Sequence, residues 1–306
     1  MIRYVLRRLL HMVPVLVGVT IIVFVVVRVS GDPVALMLPE DATQEQVEQL
    51  TRALGLDRPL PEQYLRYLVG LTRGDLGTSL RYPNRSALSV TLERLPATLH
   101  LAAAALLVAL AIAIPAGIAA ATHRNRWPDR LASSLSVLGE ALPSFWLGIM
   151  LIMLFSVQLG WLPVSGRDGM AHVVLPAVTL GLGLAALLTR LMRSSLIEAL
   201  DQDYVRTATA KGVQRRHVVT KHALRTALLP FVTVLGLQFA SLLAGAVVTE
   251  HVFAWPGIGR LAIQAIHTRD MAIIQAVVMV AAIVVMVANL VIDVAYTMID
   301  PRIEYA

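Results

Sequence analysis

Cysteine is absent from all 306 residues, which removes disulfides, thiolate nucleophiles and cysteine-ligated metals from consideration. Charge is scarce as well. Asp, Glu, Lys and Arg make up 15% of the positions against about 25% in an average soluble domain, while hydrophobic residues reach 57% against about 45–50%. No soluble core of this length absorbs that much apolar surface. A Gly-x-x-x-x-Gly-Lys-Ser/Thr phosphate loop is missing. Gly181-Leu182-Gly183 and Gly257-Ile258-Gly259 have neither the spacing nor the strand-to-helix setting of a dinucleotide fingerprint. There is no His-Glu-x-x-His, and the scattered His100, His172, His251 and His267 lack ligand spacing, so no metal site is read. Ser, His and Asp occur, but no spacing singles out a catalytic triad, and no catalytic residue is assigned. Repeats of fixed period and low-complexity tracts are likewise missing.

What is present comes in blocks. A hydrocarbon core about 30 Å thick needs about 20 mostly apolar residues in a helix. Six stretches meet that length: 9–27, 98–121, 135–159, 173–192, 228–249 and 271–298. Lipid cannot satisfy an exposed backbone, so each is expected to be helical. The fold class is therefore an all-α polytopic membrane protein, read as a single transmembrane domain over 1–306 with about six spans. The basic start before the first block has the look of a secretory signal. The apolar run is too long for one and no small-x-small cleavage site follows it, so it reads as a retained span.

The net charge of +6 is placed by topology, which argues against a nucleic-acid partner. With the N-terminus in the cytoplasm, Arg3, Arg7, Arg8, Arg124, Arg126, Arg130, Arg302 and the eight Lys/Arg between Arg190 and Arg225 all fall inside. The two short outer loops hold only Arg167, Arg260 and Arg269. Both termini are thus expected in the cytoplasm.

Between the first two blocks, residues 30–96 form a sizeable outer segment punctuated by Asp32-Pro33 and Pro59-Leu60-Pro61. Residues 43–54 and 61–71 read as short helices, the first capped by Thr43 with Gln46 three residues on. A lid or collar at an outer pore mouth and a passive linker both fit it.

The longest inner segment, 193–227, contains Asp203-Tyr204-Val205-Arg206-Thr207-Ala208-Thr209-Ala210-Lys211-Gly212. Asp203 is positioned to cap a helix over 204–211, and Gly212 to end it in a left-handed conformation. Tyr204, Ala208 and Lys211 share one face by spacing, which suits a docking knob; a plain basic loop is the alternative. The Arg206–Gly212 run resembles the EAA…G coupling loop of ABC importer permeases in its oligopeptide/dipeptide form. The likeness extends to Gln63–Tyr67, Gly74–Leu80, Arg94–Leu99, Pro143–Gly148, His222–Arg225, Glu250–Leu261 and Asp300–Ile303. Arg206 and Thr207 depart from the general loop's Glu-Ala, and Leu224-Arg225 stands in place of its Leu-Pro, with Leu229-Pro230 five residues on.

That resemblance implies a non-enzymatic permease subunit of a bacterial inner membrane that forms half of a pore beside a second homologous permease. Two cytosolic ATPases, which bind ATP and Mg, would grip a cytoplasmic coupling helix at Tyr204, Arg206, Thr207, Ala208, Lys211 and Gly212. An extracytoplasmic binding protein would deliver a dipeptide or oligopeptide, with glutathione and nickel as the other cargoes of the branch. A stand-alone secondary transporter would need acidic groups in mid-membrane, for which Glu140 is the candidate. Glu140, Gln238 and Ser241 are the pore or gate candidates. Structural pairing of Glu140 with an arginine is equally open. Asp293 is read as a salt-bridge partner near the inner end of the last span. Gly236, Ala240 and Ala244 form a small-residue stripe fit for close packing or pore lining. His251, Phe253, Trp255 and Pro256 read as an aromatic loop anchored among lipid headgroups, with contact to the binding protein as the alternative.

Overall fold

The apolar blocks do fold as helices, the conformation in which a chain in lipid satisfies its own backbone. A computed structural model describes residues 2–29, 43–53 and 55–299. Among these the long helices are α1 Ile2–Val29, α4 Ala87–Thr122, α7 Met170–Leu200, α9 Leu224–Val252 and α11 Met271–Ile299. The shorter ones are α2 Gln44–Ala53, α3 Leu60–Thr72, α5 Trp127–Ala141, α6 Ser144–Leu151, α8 Asp203–Ala210 and α10 Ile258–His267. Wider π-helical turns follow α6 at Ile152–Gln158 and, with Arg215–His217 before them, lead into α9 at Val218–Ala223. Among the described residues five helical stretches have the length and apolarity to cross a bilayer, or six if α5 and α6 count as one.

α1 and α7 run several residues beyond the expected 9–27 and 173–192, and two further departures are larger. The block at 135–159 is not one rod: α5 and the arm beginning with α6 meet at 104°. Pro143 pushes Leu142 out of helical geometry to φ −79°, ψ 125°, and α6 restarts after it. Conversely, α4 begins at Ala87 and runs through Pro96, which the outer segment was expected to contain. Prolines are tolerated in membrane helices where neighbours re-satisfy the freed carbonyl.

The chain divides into two compact units. The first comprises Met1–Pro96 and Gly257–Leu290. Here the expected cap of α2 is present: the Thr43 amide donates to Gln46 Oε1 (2.9 Å) and the Gln46 amide to Thr43 Oγ1 (3.4 Å). α3 follows at its expected place and packs on α1. The Tyr64 and Thr20 hydroxyls meet at 2.8 Å, and the Arg28 guanidinium lies 3.7 Å over Phe24 while donating through Nε to Gln63 Oε1. The neighbouring Tyr67 phenol has its pKa raised, first by burial and then by Tyr64, so it stays protonated. A core of Leu76, Val90, Ile258, Leu261 and Ile273 is pinned by Asp270. Its Oδ2 accepts from the Ser79 hydroxyl (2.6 Å) and the amides of Leu80 and Arg81, and its Oδ1 from the Ile273 amide.

The second unit comprises Ala97–Pro256 and Val291–Ala306. Along α4, Ala97, Leu101, Ala105, Ala109 and Ala113 recur every four residues and are buried in one cluster with Val173, Ala177, Leu184 and Leu188 of α7. Small residues set the spacing. A Cβ added at Gly181 would lie 2.7 Å from the Ala105 carbonyl oxygen, and one at Gly117 2.6 Å from Met192. On α9, Gly236 is where the Ile292 side chain seats, so that member of the small-residue stripe serves packing.

The aromatic turn after α9 is not a headgroup anchor. Phe253 and Trp255 are 1% and 0% exposed. Ala254, at φ 50°, turns the chain inward; the Trp255 amide donates to the Glu250 carbonyl (2.8 Å) and its indole N–H to the Ala97 carbonyl (2.9 Å). Asp32-Pro33, Asp300–Ile303 and the side chain of Asp293 lie outside the described residues.

Candidate functional site

The short helix α8 is built from the inside out. Val205 is its one fully buried residue and drops into a cluster of Ala121, Leu196, Ala199, Val218, Val219 and Ala223. The helix starts at Asp203 with Gln202 at the cap position and no side-chain cap. The expected Asp203 cap is thus displaced by one residue, and its carboxylate accepts from Arg206 Nη1 instead (3.3 Å). The other end stops as expected. Gly212 has φ +78°, its amide donates to the Thr209 carbonyl (3.0 Å) and the Val213 amide to the Ala208 carbonyl (3.2 Å). This is the Schellman arrangement, with Val213 and Ala208 packed together on the cluster.

Two of the three residues assigned to one face are held by the chain itself. Ala208 packs partly against its own chain, and the exposed Tyr204 ties back through its hydroxyl to Thr226 Oγ1 (3.2 Å). Arg206, Thr207, Lys211 and Gly212 are exposed. The result is a helix rigidly fixed below and open above.

Its platform is clamped by a pair that sequence reading missed. Asp129, almost wholly buried near the start of α5, takes both Nε and Nη2 of Arg193 on α7, the Asn125 amide (2.8 Å) and the Ser133 hydroxyl. Trp-Pro-Asp at a helix start is the local signal that was available, since an acidic residue in the first turn suits the helix dipole. Further along, Glu140 on α5 pairs with Arg190 on α7, both about half exposed, which is the structural pairing left open above. The fully buried Glu250 was also missed; it accepts from the Thr98 hydroxyl (2.6 Å).

On α9, Leu237, Ser241, Ala244 and Val248 form an exposed line at helical spacing, with Gln238 half-buried beside it. Helices of this length and apolarity, with an anchored surface helix and an exposed stripe on α9, define a polytopic membrane protein. The chain matches the family model for the binding-protein-dependent transport system inner membrane component over residues 113–305, and the model for the N-terminal part of such membrane components over residues 1–102. It is 44% identical to the glutathione transport system permease protein GsiC of Salmonella paratyphi A and 42% identical to that of Escherichia coli K12, each over 100% of both chains. Its fold resembles the inward-facing MetNI methionine ABC transporter (TM-score 0.60, 18% identity, 69% of this chain and 96% of that one). It also resembles an amino acid ABC transporter with histidines (TM-score 0.54, 16% identity, 70% and 94%). The chain belongs to the binding-protein-dependent transport family and is an inner-membrane permease of an ABC importer.

Proposed function

We propose that this permease forms half of the pore of an ATP-driven importer for small peptides and that α8 is the helix through which ATPase subunits move it. The observation that carries the reading is the construction of α8. It is anchored by Val205, stopped by Gly212 and tied by Tyr204 to the root of α9, so a push on its exposed residues passes to the spans on either side. Two cytosolic ATPases holding ATP and Mg would supply that push against Tyr204, Arg206, Thr207, Lys211 and Gly212, with Ala208 as the helix's inner support. A second homologous permease and an extracytoplasmic binding protein complete the machine, and both termini lie in the cytoplasm. The exposed line on α9 faces the second permease or the pore, with Ser241, Gln238 and Glu140 as the polar groups available to passing cargo. Glutathione is itself a tripeptide. Full-length identity to permeases named for it favours glutathione as the cargo within the peptide class.

The test is uptake of labelled glutathione and of a dipeptide by cells carrying Gly212→Val or a two-residue insertion after Lys211. Both variants are expected in the membrane at normal levels with uptake reduced at least tenfold. Unchanged uptake would remove α8 from the coupling role.

A further inference from the structure

Beside α8, where α4 ends and the lead-in to α9 begins, lies a cavity of about 690 Å³. Its rim is basic: His123, Arg124, Arg126, Arg215 and Arg216 line it, and no carboxylate does. Arg215 is oriented by donating to the Thr122 carbonyl (3.3 Å), and Arg124 reaches Asp201 at 3.9 Å. Among the described residues Arg126 and Arg216 have no acidic partner, and Asp129, three residues from Arg126, is held by Arg193. The floor is apolar, made by Ile118, Ala121 and Val219.

Two helical stretches of membrane-crossing length and composition, Ala87–Thr122 and Arg215–Phe239, have their ends at this cavity. Trp127, one residue beyond Arg126, is 74% exposed, as a tryptophan at the hydrocarbon–headgroup boundary is. A guanidinium cluster of which Arg126 and Arg216 have no acidic partner, above an apolar floor and beside an exposed tryptophan, matches one amphipathic anion. We infer that this cavity receives the phosphodiester headgroup of an anionic phospholipid, its acyl roots on the apolar floor. Inward-retention of positive charge explains why arginines lie at this end of the chain. It does not call for a cavity that gathers them beside an exposed tryptophan.

The test uses the permease purified with whatever subunits accompany it. Lipid retained per permease is measured by mass spectrometry, and melting is followed on adding phosphatidylglycerol, phosphatidylcholine or inorganic phosphate. Wild type is expected to retain phosphatidylglycerol and to melt higher with it than with either alternative. The triple variant R124Q/R126Q/R216Q should lose retention about tenfold, while R126K/R216K and the equal-charge control R52Q/R58Q/R73Q keep it. Equal retention by wild type and R124Q/R126Q/R216Q would overturn the inference. So would protection by phosphate equal to that by phosphatidylglycerol, which marks a soluble anion, or retention only after accompanying subunits are stripped, which marks a protein-covered surface. The melting comparison on wild type stands even if the triple variant fails to fold.

Discussion

Asp270 holds four donors with one side chain, and three of its partners, Ser79, Leu80 and Arg81, lie about 190 residues away in sequence. Stranding buried donors costs about 1–3 kcal/mol each, so Asp270→Ala is expected to destabilise by at least about 3 kcal/mol. Thermal melting in detergent checks this, and Asp270→Asn should recover part of the loss because its amide oxygen still accepts. Glu250 with Thr98 is the second such node, on α9 and α4. Glu140 behaves differently. Half-exposed and paired with Arg190, it is expected to tolerate Glu140→Gln with uptake within about twofold, since exposed pairs contribute only about 0–1 kcal/mol. A loss of tenfold or more in the same uptake assay would instead mark Glu140 as part of the cargo path.

At the scale of elements, the packing of α4 on α7 depends on the absence of side chains. Gly181→Ala places a methyl against backbone at Ala105, and Gly117→Ala places one against Met192 near its own Cβ, so neither neighbour can swing away. Each is expected to cost about 1–3 kcal/mol of overpacking, read as a lower melting temperature with normal insertion. Much of this level was legible beforehand. The apolar blocks gave the spans, Thr43 with Gln46 gave the start of α2, and Gly212 gave the end of α8, because each is a local cause with a local effect. The failures have a shared physical origin. Trp255 looked like a belt residue because burial of its indole depends on Ala97, 158 residues earlier, and on a single left-handed residue, Ala254. The 104° break at Pro143 needed the same kind of knowledge, since a proline in lipid permits either a kink or a passage, as Pro96 within α4 shows. The clamp of Asp129 and Arg193 joins residues 64 apart and is invisible to any window of one helix.

For the molecule as a whole, the exposed line on α9 and the absence of cysteine combine usefully. A chain without native thiols accepts a single reporter, and Ser241→Cys in an otherwise unaltered permease is expected to cross-link to a cysteine placed on a partner permease during ATP turnover. A control cysteine at the buried Leu242 should not react, and equal labelling of both would remove the stripe from the interface.

Of the four tryptophans, Trp127, Trp146 and Trp161 are 74%, 44% and 69% exposed, while Trp255 is wholly enclosed with its indole N–H bound. The chain thus carries its own optical gauge. Emission from Trp255 should be blue-shifted and shielded from brominated lipid and acrylamide, whereas the other three are open to quenchers. Because that indole bridges the turn after the C-terminal end of α9 to the carbonyl of Ala97 in α4, any opening of this corner during a transport cycle would redden and unshield one identifiable component of the protein's own fluorescence.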